Sequence, residues 1–205
     1  MKIGPRPGGQ APPRWPNCYF FPIKNIIGLV SPQVGMAKNT FFIRGSVTAP
    51  SGGGYAQAEI DLGSYTNLGS SKPELLRIHN ISVAMTDAAG EVPVVDSNTA
   101  VSTAWQITTQ TQSAIVLITD DSVVAAGRAA LRNPDGSSAP PSQAFESQML
   151  PQDFTGGYLV AVPTLFLGAL GTAEFEEGQI YSFMLECTTE SISKSNAVAL
   201  AVSQQ

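Results

Sequence analysis

The chain has 205 residues, enough for one medium domain with a substantial core or at most two small ones. Apolar residues make up 43%, which excludes a disordered chain, whereas charged residues reach only 13% against about 25% in an average soluble domain. A surface this poor in charge disperses badly as a free monomer and points to burial against copies of itself. The net charge of −5 is unevenly spread. Residues 1–58 hold Lys2, Arg6, Arg14, Lys24, Lys38 and Arg44 and no acid, so they carry +6 and residues 59–205 carry −11. Such a segregated basic segment faces something negative: a neighbouring subunit's acidic body, an anionic membrane surface or a genome.

In chain order, Pro5, Pro7, Pro12, Pro13, Pro16 and Pro22 exclude regular helix or central strand from residues 1–38 and leave no continuous signal-peptide core. The same stretch carries large apolar groups. It reads as an extended arm ordered by docking, with Arg14, Trp15, Tyr19, Phe20, Phe21, Ile26 and Ile27 as its contact residues. The body, residues 39–205, opens with alternation over Phe41–Val47, then the clear period-two run Ala56–Leu62. After a Gly/Ser loop at Gly63–Ser71, the long strand Leu75–Thr86 slips its alternation near Ile78 and His79, which predicts a bulge. Trp105, Ile107, Thr109 and Thr111 form another strand face, with Trp105 inward, and Ala114–Thr119 reads as a buried strand.

One helix is expected at Ser122–Leu131, capped by Asp120 or Asp121 and stopped by Pro134. A surface loop, Asn133–Ser142, and a short helical turn at Ala144–Leu150 follow. The chain closes with strands through Gly157–Pro163, Thr164–Leu170, Gln179–Thr188 and Asn196–Ser203, the last with a small-residue face of Ala197, Ala199 and Ala201. No apolar stretch reaches the roughly 18 residues of a membrane span.

Signals for catalysis are weak. The single histidine, His79, sits in an apolar strand and reads as structural, and no nucleophile elbow, phosphate loop or metalloprotease motif is present. Asp120-Asp121 is better read as a helix cap, and Glu174 with Glu176 and Glu177 lacks the spaced ligands of a calcium loop. Asn80-Ile-Ser82 matches a glycosylation sequon in mid-strand. Cys187 shares a strand face with Tyr181, Phe183 and Leu185 and should pack as a small hydrophobe, and no local spacing supports a bridge to Cys18. The expectation is no enzyme, no cofactor, no metal and no small-molecule substrate.

About eight strands, one inserted helix, a proline-rich arm and few charges make an all-β antiparallel sandwich. It resembles the single jelly-roll capsid proteins of tailless icosahedral viruses. The resemblance spans roughly residues 39–205 and rests on architecture. It implies a virion shell subunit whose partners are copies of itself and other capsid proteins, with a membrane or genome reachable only through the arm. The arm lacks the dense basic tract common in small RNA-virus capsids, which suits a shell around an inner membrane or a separately packaged genome. Two other readings remain open at this point: a surface or pilus-type subunit completed by a neighbour's strand, and a carbohydrate-binding sandwich with exposed aromatics on one sheet.

Overall fold

The computed structural model describes residues 39–204. Nine strands form two antiparallel sheets. The first has the order β1 (Phe41–Ala49), β9 (Gln179–Ser191), β3 (Glu74–Thr86), β7 (Tyr158–Val160). The second has the order β2 (Gly54–Asp61), β8 (Thr164–Gly171), β4 (Thr99–Thr108), β5 (Val123–Asn133), β6 (Gln143–Met149). Outer and inner strands pair in nested fashion, β1 with β9, β2 with β8 and β3 with β7, as in a hairpin ribbon rolled up on itself. That nesting is the jelly roll, here with a fifth strand added to the second sheet.

Period-two sequence becomes sandwich core wherever both faces find their expected partner. Ile43 and Val47 of β1 and Tyr181, Phe183, Leu185 and Cys187 of β9 point inward against Trp105, Ile107, Leu165 and Leu167. The edge of the Trp105 indole meets the Phe183 ring, centroids 5.6 Å apart at 76°. Burial of each such side chain stabilises the fold by about 1.5–3 kcal/mol. The expected bulge is present: pairing of β3 with β9 shifts register between Ile78 and Asn80, leaving His79 as the extra residue.

Four expectations are corrected. Ser122–Leu131 is no helix; Val123–Asn133 is a strand bonded on both sides, to β4 and β6. Its Ala- and Gly-rich composition serves the packing. A Cβ at Gly127 would lie 2.4 Å from the Trp105 ring, so the indole needs the bare backbone there. Asp120 does accept from the Ser122 amide at 2.9 Å, but it closes a turn into that strand. Ala114–Thr119 is not a buried strand but part of a loop, with Leu117 and Ile118 largely exposed. Ala144–Leu150 is not a helical turn but falls largely within β6, with one 3-10 turn following at Pro151–Asp153.

Asn196–Ser203 is not a strand. It belongs to helix α1 (Lys194–Ser203), begun by Ser193, whose hydroxyl accepts from the Asn196 amide at 3.3 Å. Its alanines have the highest helix propensity of any residue, and a serine cap decides the matter.

Candidate subunit-contact surfaces

The two ends of the sandwich differ in chemistry. At one end lie the turns 50–53, 87–98, 134–142 and 172–178, and the last three are tied together through backbone. Val95 bonds Ala139 in both directions (3.0 and 3.1 Å), Asp96 donates to Glu174 at 3.0 Å, and Asn98 donates to Asp135 at 2.8 Å. Buried Asn133 donates to the carbonyls of Val95, Asp96 and Ser137. A small second core of Val95, Val101, Leu131 and Phe175 fills this end. These turns hold Asp87, Glu91, Asp96, Asp135, Glu174, Glu176 and Glu177 and no lysine or arginine. The carboxylates do not converge: among the described residues no group of three potential ligands could hold a metal ion.

The opposite end, where β1 begins, carries the loop 109–122, which folds back over the outer face of the second sheet. A buried glutamine holds it there. Gln106 donates to the Ala114 carbonyl (3.0 Å) and the Tyr55 hydroxyl (2.9 Å), and its carbonyl accepts from the Val116 amide (2.9 Å). Gln57 adds bonds to the Thr111 hydroxyl and the Gln112 amide. Held by these polar staples, the loop tip places Leu117 and Ile118, 70% and 58% exposed, beside Ala126 and Met149. Together with Gly127 they line an apolar groove rimmed by Arg128 and Gln148. Phe145, 69% exposed, lies on the same edge strand, β6, whose outer edge pairs with no described strand.

Helix α1 is fastened at its end by Gln204, which is buried. Its side chain accepts from the Ala161 amide (2.9 Å) and donates to the Leu159 carbonyl (2.7 Å), while its own carbonyl accepts from the Thr109 hydroxyl (2.6 Å). Only Ala197 within the helix is buried, so Val198 and Val202, one turn apart, present an apolar strip outward. The outer face of the first sheet is a shallow trough of Ser46, Ser82, Ala84 and Ser182 beside Met184 and Arg44, and the Arg44 guanidinium sits over the Phe42 ring at 5.7 Å.

The titratable groups behave as structural parts. His79 bonds the Thr188 hydroxyl at 2.9 Å. Arg77 bonds Glu190 and the Gly156 carbonyl, both at 2.6 Å, and its hydrogen bond holds the Glu190 carboxyl below the usual range. Burial pushes the Tyr181 phenol and the Cys187 thiol each up to about 12. Trp105 points into the core as expected, and Asn80, in mid-strand, bonds Glu186. The seven predicted arm residues, Arg14, Trp15, Tyr19, Phe20, Phe21, Ile26 and Ile27, lie outside the described residues, as does Cys18. Sequence reading missed the exposed loop tip because Ala114–Thr119 has the composition of a core strand. The available clue was the run of glutamines, Gln106, Gln110 and Gln112, able to satisfy an irregular backbone.

No protein-family model and no curated protein matches the sequence. Among solved structures, the chain is similar to VP1 of Trichodysplasia spinulosa-associated polyomavirus in complex with sialylated precision glycooligomers. That match has 9% identity and a TM-score of 0.41, covering 75% of this chain and 95% of the other. It is also similar to Merkel cell polyomavirus VP1 in complex with disialyllactose, with 10% identity and a TM-score of 0.38, again over 75% and 95%.

Proposed function

We propose that this chain is a shell-forming capsid subunit of an icosahedral virus. The observation that carries the reading is the apolar groove of Leu117, Ile118, Ala126 and Met149, held open by polar staples beside the unpaired strand β6 on a charge-poor jelly roll. Ten large hydrophobic side chains are exposed among the described residues, several of them gathered in such strips. Patches of this kind mark protein contacts, and a stable contact of standard size buries about 1,600 Å² in total. Closed symmetric assembly covers such surfaces by repetition of one contact. The partners are copies of this chain and other capsid proteins, and the site of action is the virion.

Charge orients the subunit. The seven carboxylates of one end repel nucleic acid, so in this scheme that end faces away from a genome, while β1, which follows the basic segment 1–38 in sequence, begins at the opposite end. The arm residues Arg14, Trp15, Tyr19, Phe20, Phe21, Ile26 and Ile27 link neighbours in this scheme, and any genome or membrane contact runs through them.

The double substitution Leu117→Glu/Ile118→Glu tests the reading. Both side chains are exposed, so circular dichroism and Tm should stay near those of the wild type while closed particles vanish from negative-stain micrographs. A wild-type protein that stays monomeric at high micromolar concentration, or a double variant that still builds normal shells, refutes it.

A further inference from the structure

One half of β3 lacks a neighbour that the fold leads one to expect. In the rolled ribbon, the chain returning after β5 should run the length of β3 within the first sheet. Instead it divides: its first part, β6, stays in the second sheet beside β5, and only the three residues of β7 reach β3, at Leu76–Ile78. One residue further along is covered by a side chain. The Gln152 carbonyl accepts from the Ile81 amide (3.0 Å) and its NH2 donates to the Ile81 carbonyl (2.9 Å), a side-chain imitation of strand pairing. Both backbone groups of Ile81 therefore point away from β9. By the two-residue period the same holds for Val83 and Met85, and no described residue bonds them on that side.

The opposite wall is uncovered as well. Glu146 and Gln148 pair with Ala129 and Gly127 and share their inward face, yet both stay exposed, because nothing in the first sheet lies over them. Between the two walls is a narrow cleft floored by Trp105 and Tyr181, with Val83 and Met85 on one side and Glu146 and Gln148 on the other. At its end β3 runs into the acidic turn with Asp87 and Glu91.

We infer that this cleft receives residues 23–31 of a second copy's arm, added as a strand along Val83–Met85 and completing the first sheet. The segment Ile23-Lys-Asn-Ile-Ile-Gly-Leu-Val-Ser31 is the proline-free window between Pro22 and Pro32, and four of its nine residues are β-branched aliphatics. Extended, it spans about 30 Å, ample for the free edge. Lys24, the one charged residue of the segment, would find Glu146 in the cleft, where Arg128 is also a lining residue, and Asp87 and Glu91 at the end of β3. The donor is taken as a neighbour because the shell-subunit reading needs a contact between copies, and β1, to which each arm is joined, lies at the far edge of the same sheet. The main-chain bonds supply affinity and the inward pockets supply register. The inference rests on the shell-subunit reading and names the contact that links its copies.

The test uses full-length protein, prepared as a mixture of ordinary and 15N-labelled chains and assembled. Hydrogen exchange at the Val83 and Met85 amides, within residues 82–86, should slow at least tenfold on assembly, with residues 23–30 slowing in parallel. Carbodiimide should join Lys24 to Glu146 in peptides of mixed isotope. Val83→Pro removes a donor that faces the open edge, so the subunit should fold and the protection should be lost. Particles whose 82–86 amides exchange as fast as those of free subunits overturn the inference and leave the shell reading standing. Cross-links confined to chains of one isotope overturn it too. Filaments carrying the same protection and mixed cross-links support it and overturn the closed shell, whereas monomers overturn both.

Discussion

Gly127 shows how a single residue decides a fold-level question. The Trp105 ring rests where a Cβ would stand, so the strand must be bare at that point. Gly127→Ala should lower stability by about 1–3 kcal/mol, read as a reduced urea midpoint with unchanged slope. Cys187 and Tyr181 make a second residue-scale argument. Burial raises the thiol from 9.0 and the phenol from 10.0 to about 12 each, so the fold favours their neutral forms. For groups whose folded values are raised, the contribution is intact below the unfolded values and drains as pH climbs towards the folded ones. Stability should therefore hold at pH 7–8 and then fall towards pH 12, from about pH 9 for Cys187 and from about pH 10 for Tyr181, each by at most about 1.4 kcal/mol per pH unit. Urea midpoints measured across that range check it, and a flat profile contradicts it. In a Cys18→Ser background, Cys187 should resist thiol reagents until the protein unfolds.

At the scale of the element, irregular segments here are held by buried amides. Loop 109–122 depends on Gln106, and the end of α1 depends on Gln204. Gln106→Leu keeps the volume and removes three hydrogen bonds, leaving the Val116 amide and the Ala114 carbonyl to find other partners. The expected cost is about 1–3 kcal/mol, with selective proteolysis at residues 114–119 while the sheets stay intact. Equal protease resistance of loop and sheets in that variant would show that the loop is held by other means. The same construction explains why an apolar loop tip can stay in water: its anchors are polar and inside, and its hydrophobic groups are left exposed.

For the whole molecule, the separation of charge governs. Seven carboxylates gather in the turns at one end of the jelly roll, β1 begins at the other, and every charged residue among positions 1–38 is basic; in the proposed shell such opposite signs would attract neighbouring subunits. Deleting residues 1–30 should leave a subunit with a Tm within a few degrees of the full chain, since residues from Ile43 to Cys187 already supply two hydrophobic cores among the described residues. Electron microscopy of that truncation should show no closed particles. Normal shells would remove the arm from the assembly scheme.

The all-β class, the bulge at His79, the inward face of Tyr181 to Cys187 and the shortage of charge were legible in the sequence, because period-two burial and composition are local properties. Four segments were not, among them Ala144–Leu150, which reads as a helical turn and lies largely within β6. Ser122–Leu131 has helix-forming composition and became a strand, since a large indole opposite demanded small residues and two sheet neighbours demanded its backbone. Asn196–Ser203 alternates like a strand and became a helix, since a serine cap and the seat for Gln204 were available. Ala114–Thr119 reads as core and lies on the surface, pinned by Gln106 in the preceding strand and, through Thr111 and Gln112, by Gln57 far back in sequence. The candidate contact groove and the open half of β3 both arise from such long-range meetings. Sequence by itself determined what each residue prefers. Which neighbour it met, and which edges were left without one, was decided only when the ribbon closed.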